Sequence, residues 1–271
     1  MFKKRIKYVL SEIKKKILAI LSYPQYLFFK IFLSSKFTNK RFNNTIFFID
    51  SFRSFLRIKY AHKKEIKTQK WIKSFKKESI FWDIGSNVGI FSFLAIERSS
   101  KVVSFEPLFS NYNNLMHTLH LNKNYHINLL VLPLFLNNEN KHSMQFIPNI
   151  ESGYSGIQFD LKKNYLDKTN IDKLHSIGFS GDFLSKLLNK KFSIPNYIKI
   201  DVDGNELKIL YGLREVLSNK KCISLLVEAK SIKEFKLIKT YIENFGFVLT
   251  EKFLSIDGKE SSPKNYIFHK K

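Results

Sequence analysis

The sequence predicts an α/β domain on a largely parallel sheet with helices on both faces, and three observations carry that expectation. From residue 79 onward short apolar runs alternate with segments of helical periodicity, the pattern of repeated β–α units. Several of the runs are apolar without interruption, as strands covered on both faces must be. The 271 residues, 44% hydrophobic and 15% aromatic, carry enough apolar surface for one substantial core.

Taken in order, strands are expected at Ile80–Ile84, Val102–Phe105, Asn128–Leu132, Tyr197–Val202, Ser224–Glu228 and Phe247–Lys252, with a last one near Tyr266–His269. Between them the spacing predicts helices over Val88–Ile96, Ser110–Leu121, Gly204–Leu217 and Ile232–Phe245, with Gly246 as a left-handed stop for the last. Residues 137–196 break this rhythm. They contain ESGYSG and a short helix over Asp182–Leu188, and their length reads as an insertion that covers the site.

Charge divides the chain at the start of this domain. Residues 1–80 hold 21 Lys and Arg against 4 Asp and Glu, a net of +17, whereas the remaining 191 residues hold a net of +6. Residues 1–75 therefore read as a basic N-terminal helical arm, and 76–271 as the catalytic domain. In the arm Ile6, Val9, Leu10, Ile13, Ile17, Ile20 and Leu21 recur at helical spacing with Lys14, Lys15 and Lys16 turned away. Such a basic amphipathic helix either packs on the domain or a partner subunit, or lies on an anionic membrane surface. The uncharged stretch Ile17–Phe29 contains Pro24 and is short for a span, which needs ~20 apolar residues. The expected location is cytoplasmic, peripheral at the inner face of a membrane. The single cysteine, Cys222, excludes an intramolecular disulfide and reads as a small buried side chain.

The strongest local signal is FWDIGSNVGIF: an apolar strand ending in Asp83, a turn with Gly85 and Gly89, then an apolar helix. Gly85 lets the chain turn tightly and a ligand approach the backbone, and the amides of Val88 and Gly89 are placed to receive an anion. VVSFEP puts Glu106 at the end of the next strand, seventeen residues after Gly89, where a carboxylate accepts from ribose hydroxyls. A dinucleotide site needs a second glycine two residues after the first, so that the pyrophosphate can come close, and Asn87 stands there. S-adenosyl-L-methionine has no phosphate; its carboxylate tolerates a side chain at that position. Asn87 is placed to hydrogen-bond the amino-acid end and Asp83 to take the ammonium group.

A second constellation, NYIKIDVDGNELKIL, delivers Asp201, Asp203 and Glu206 around Gly204, and Glu228 ends the following strand. Groups just beyond the carboxyl ends of strands face the ligand crevice of an open α/β sheet. Asp201 is the expected base or orienter of an acceptor hydroxyl, with Asp203 and Glu228 aligning the acceptor; Asp203 also fits a helix cap. His142 and His175 are further candidate bases, and Tyr154 of ESGYSG is a ring for a sulfonium or a sugar. His117 and His120 lack a further ligand and no metal is called for.

Together FWDIGSNVGIFSF, SFEP, IKIDVDGNE and LLVEA resemble the FkbM-like methyltransferases. The likeness covers roughly residues 80–132 and 195–230, with Ser86 where the family usually carries Ala and Asp203 where it often carries Glu. The resemblance implies a class I methyltransferase fold of seven strands, Rossmann-like, with the last antiparallel. It also implies S-adenosyl-L-methionine as methyl donor and O-methylation, often of sugars in glycans, glycolipids or related metabolites. Two other classes compete. A NAD(P)-dependent oxidoreductase shares Gly85 and Glu106 but not Asn87, and a nonenzymatic membrane- or polyanion-binding module accounts for the arm but not for the carboxylates. No nucleic-acid partner is expected.

Overall fold

The apolar runs do become strands, and the reason is visible in neighbouring residues: Phe81 and Trp82 are both buried, but in separate clusters on opposite faces of one sheet. The computed structural model describes residues 20–27, 39–63, 65–98, 101–155, 158–159, 172–254 and 264–271. Its main sheet comprises β3 (Ile80–Ile84), β4 (Lys101–Phe105), β5 (Leu129–Leu132), β10 (Tyr197–Ile200), β11 (Ser224–Ala229), β12 (Phe247–Leu254) and β13 (Lys264–Lys270). The order across it is β12-β13-β11-β10-β3-β4-β5. β5, β4, β3, β10 and β11 pair in parallel, whereas β13 is antiparallel to both β11 and β12. The order reverses between β3 and β10, which opens a crevice at their carboxyl ends.

Helices α4 (Ile90–Ile96), α5 (Phe109–Leu121) and α9 (Ile232–Glu243) follow β3, β4 and β11. The expected helix over Gly204–Leu217 is two, α7 (Glu206–Tyr211) and α8 (Arg214–Ser218). Two long-range contacts break it. A Cβ at Gly212 would stand 1.9 Å from the Asn137 carbonyl oxygen, and Asp182 accepts the amides of Glu215 and Val216, both at 3.0 Å, which fixes a new helix start. Asp182 lies in α6 (Gly181–Leu187), close to the expected short helix.

The insertion has its own small sheet, in the order β6 (Phe135–Asn137), β9 (Asp172–Ser180), β7 (Lys141–Ile147) and β8 (Gln158–Phe159).

The amphipathic stretch Ile6–Leu21 falls outside the described residues except for its last two, which open α1 over 20–27. Residues 39–73 of the expected helical arm hold two strands and two helices. β1 (Asn39–Phe42) and β2 (Thr45–Phe48) form a hairpin, followed by α2 (Phe52–Tyr60) and α3 (Ile66–Lys73). Phe47, Phe55, Ile58, Trp71 and Ile72 are buried in the same cluster as Phe81, Phe93 and Ile267 of the sheet domain. Trp71 Nε1–H donates to Ser224 Oγ at 2.9 Å, and that hydroxyl lies 2.9 Å from the Phe268 carbonyl it donates to. Residue 75 thus marks a change in charge, while packing runs across it.

Candidate active site

The crevice at the switch point is a cavity of about 440 Å³. One side is the turn after β3. Gly85 has φ +80°, and a Cβ there would lie 2.1 Å from the Asp201 carbonyl oxygen, so only glycine lets the β3 and β10 ends meet. Asn87, also left-handed at φ 52°, lines the cavity with Gly85, and its Nδ2 donates to the Tyr154 carbonyl at 2.7 Å. Glu106 accepts from the amides of Asn87 (2.7 Å) and Leu108 (3.0 Å) and from Asn111 Nδ2 (3.3 Å). A carboxylate has about four lone-pair sites, so one remains for a ribose hydroxyl. Burial pushes the Glu106 carboxyl up to about 7 against the pull of these donors. The apolar wall beside it, Leu134, Phe135 and Leu136, suits a purine.

Two sequence expectations meet different surroundings. Asp83 is fully buried and is not among the cavity-lining residues; its Oδ2 takes the Ser92 hydroxyl at 2.6 Å, while Oδ1 has no partner among the described residues. Gly89 is the left-handed start of α4, and a Cβ there would meet Leu115 of α5 at 2.9 Å; it serves helix packing. The turn's amides are already committed. Gly85 and Ser86 donate to the Phe105 carbonyl at 3.0 and 3.2 Å, Gly89 to the Ser86 carbonyl at 2.9 Å, and Val88 to Asn87 Oδ1 at 3.0 Å.

The opposite side gathers Asp201, Asp203 and Glu228 on the cavity, as their strand-end positions suggested. Lys199, 2% exposed in the middle of β10, places Nζ 2.7 Å from Asp201 Oδ2, and stands in register with Asp83. Burial raises the proton affinity of Asp201, but the charge and hydrogen bond of Lys199 outweigh it and hold the carboxyl below its ordinary range. Glu228 goes the other way: burial and the neighbouring charge of Asp201 push it up to about 9. The pair therefore favours its negative charge on Asp201 and its proton on Glu228. Asp203 has φ 64° and lies 3.7 Å from Lys230 Nζ. It does not cap α7, whose N-cap is Asn205. Glu206 points back into the loop, accepting the amides of Val202 and Gly204 at 3.3 and 3.1 Å.

The remaining wall comes from residues that the motifs did not indicate. Arg53 and Arg57 project from α2, and Glu65 from the start of α3, where its φ is 49°. Loop 151–155 closes over them. Tyr154 lies against the Arg53 guanidinium at 5.3 Å, Glu151 pairs with Arg53 at 3.1 Å, and the Gly153 carbonyl accepts from Arg57 Nε. His142 and His175 are outside the cavity, on β7 and β9, with His175 Nδ1 2.9 Å from His142 Nε2. His117 stacks near the Phe48 ring at 4.6 Å. Cys222 is buried, and burial pushes its thiol up to about 12, which leaves it inert.

A 6-7-5-4-1-2-3 strand order and a cavity shared by the first, second and fourth strand ends define a class I methyltransferase, Rossmann-like in its helix layers. The chain belongs to the FkbM methyltransferase family, whose Methyltransferase FkbM domain matches residues 83–249. S-adenosylmethionine is accordingly its methyl donor, and the open lone-pair site of Glu106, the Gly85 approach and the apolar wall fit it. Among solved structures, the FkbM methyltransferase of Methylobacillus flagellatus KT is 15% identical with a TM-score of 0.53, over 80% of this chain and 53% of that one. The chain spans about half the length of that protein. Trm5b of Pyrococcus abyssi is 10% identical with a TM-score of 0.48, over 86% of this chain and 56% of that one. TYW2 of M. jannaschii, in complex with AdoMet, is 11% identical with a TM-score of 0.45, over 86% of both chains. No curated protein matches the sequence.

Proposed function

We propose that this methyltransferase transfers the methyl group to a hydroxyl, and that the hydroxyl belongs to a sugar of a glycan, a glycolipid or a related metabolite. The observation that carries the reading is the convergence of Asp201, Asp203 and Glu228 on one cavity beside the Gly85 turn, with Lys199 Nζ 2.7 Å from Asp201 Oδ2. An alcohol oxygen needs its proton accepted as it gains a methyl group, and an ionised Asp201 provides that acceptor. Glu228 as a neutral acid and Asp203 donate to or accept from the sugar's other hydroxyls. Bound S-adenosylmethionine supplies an electrophilic methyl on a sulfonium; holding the acceptor oxygen in line with it supplies most of the acceleration. In this reading residues 137–196 cover the acceptor, with Tyr154 against the sugar face, and Asp83, Gly85, Asn87, Gly89 and Glu106 form the donor half, Asp83 and Gly89 from behind the turn.

The test is transfer of labelled methyl from S-adenosylmethionine to a panel of free sugars, glycolipid extracts and tRNA. The reading expects label in sugar ethers that survive alkali. Label in tRNA bases, or in alkali-labile esters, would replace it.

The basic N-terminus we assign to an anionic membrane surface, where lipid-linked acceptors reside. Ile20 and Leu21 of α1 are 68% and 65% exposed, and no described helix is long and apolar enough to cross a membrane. Binding to phosphatidylserine vesicles that weakens with salt is the expected result; equal pelleting of a chain lacking residues 1–40 would assign that segment to packing.

A further inference from the structure

The amides of residues 85–89 are all spent inside the turn or on Glu106 and Phe105, so the helix start does not offer the methionine carboxylate of the cofactor the anion site that its sequence suggests. The cavity has two basic lining residues among those described, Arg53 and Arg57. Arg53 is exposed at the mouth and already paired with Glu151. Arg57 is partly buried, has no carboxylate within 4 Å among the described residues, and commits only Nε, to the Gly153 carbonyl. Its two terminal nitrogens carry four N–H donors in a planar fork, and a guanidinium taken out of water without a paired anion is costly. Asp201, Glu65, Asp203 and Glu106 surround it at longer range, yet burial still outweighs their pull.

We infer that Arg57 receives the methionine carboxylate of S-adenosylmethionine, with its fork binding both oxygens. A cofactor contact is thereby supplied by α2, outside the matched residues 83–249, and loop 151–155 sets the guanidinium by accepting its Nε–H. The inference concerns the donor half alone and does not depend on the acceptor.

Calorimetry with two ligands on two proteins tests it without any acceptor. S-adenosylhomocysteine carries the carboxylate; 5′-deoxy-5′-methylthioadenosine keeps the adenosine and the sulfur and lacks the amino-acid end. Arg57→Gln retains a donor for the Gly153 carbonyl. It should weaken S-adenosylhomocysteine ~10- to 100-fold, the worth of a hydrogen bond to a charged group, and leave methylthioadenosine within about twofold. An equal loss of both ligands, or no loss of either, overturns the inference, the first making Arg57 structural and the second freeing it for the acceptor. Should Arg57→Gln bind neither ligand and prove unfolded, Arg57→Lys decides. A single ammonium cannot reproduce the fork, so the ratio of the two affinities must fall there as well, and an unchanged ratio overturns the inference.

Discussion

Asp201 and Glu228 are both carboxylic acids at strand ends, and what separates them is their neighbours. Lys199 lies beneath Asp201 at 2.7 Å, while for Glu228 burial and the charge of Asp201 outweigh the more distant pull of Lys199. Asp201→Asn keeps the shape and removes the proposed proton acceptor, so kcat should fall by ~10²–10⁴ with S-adenosylhomocysteine affinity nearly unchanged by calorimetry. Near-full turnover would leave catalysis to proximity. Lys199→Met removes the cation that keeps Asp201 ionised. The folded-state proton affinity of Asp201 then rises, and the acid limb of the kcat/KM profile should move to higher pH; a profile that only drops in height would make Lys199 structural. Glu106 has a different task. Glu106→Ala strands the buried amides of Asn87 and Leu108 and removes the proposed acceptor for the ribose, so S-adenosylhomocysteine binding should weaken ~10-fold or more.

At the scale of elements, the parts legible in the sequence are those whose cause is local. Short, largely apolar runs mark β3, β4, β10 and β11, and a carboxylate just past the end of β4 and β10 and near the end of β11 is how Glu106, Asp201 and Glu228 come to face one cavity. Gly85 is legible for the same reason, because a strand that turns into a helix needs the left-handed residue. Gly85→Ala should abolish cofactor binding in calorimetry, since both its φ and the 2.1 Å approach to the Asp201 carbonyl forbid a Cβ. The illegible parts depend on distant partners. The break between α7 and α8 needs Asp182 and Asn137, and motif spacing gives the shape of the turn after β3 without telling that its amides are spent internally. Arg53, Arg57 and Glu65 were hidden because they lie in a segment whose excess of Lys and Arg reads as one solvated arm. Their setting is made by loop 151–155, 96 residues away from Arg57. One signal was available: Asp50 and Glu65 are two of only four acids among the first 80 residues, Asp50 taking Ser54, Asn114 and Ser152 and Glu65 taking Thr68 on the cavity wall. Because α2 and α3 bury Phe55, Ile58, Trp71 and Ile72 against the sheet, a chain trimmed at residue 75 should lose its cooperative thermal transition. A sharp transition in 76–271 would restore the boundary that charge alone suggests.

For the whole molecule, the cavity concentrates a cost that pH reveals. Burial raises Glu65, Glu106 and Glu206 from 4.5 to about 7 and Glu228 from 4.5 to about 9, so between these limits the folded chain binds protons that the unfolded chain has released. Stability falls with rising pH wherever the native state binds more protons. Other groups must be weighed for sign. Asp201, lowered from 3.8, adds stability that is complete once the pH is well above that value. Lys199, raised from 10.5, contributes stability lost only above that value. His269, lowered from 6.5 by burial, makes stability rise with pH, but only up to 6.5. The window from 6.5 to 9 is therefore governed by the raised carboxylates, the three near 7 in its lower part and Glu228 throughout. The melting temperature of the ligand-free protein should decline steadily across that window, by ~2–4 °C for each kcal/mol lost in a chain of this order of size. Glu228→Gln fixes the uncharged form at every pH, and its melting temperature should decline less, with the difference from the wild type widening from pH 7 to 9. Parallel declines in the two proteins would mean that Glu228 is already ionised at neutral pH, and would remove the neutral acid from the acceptor half of the site.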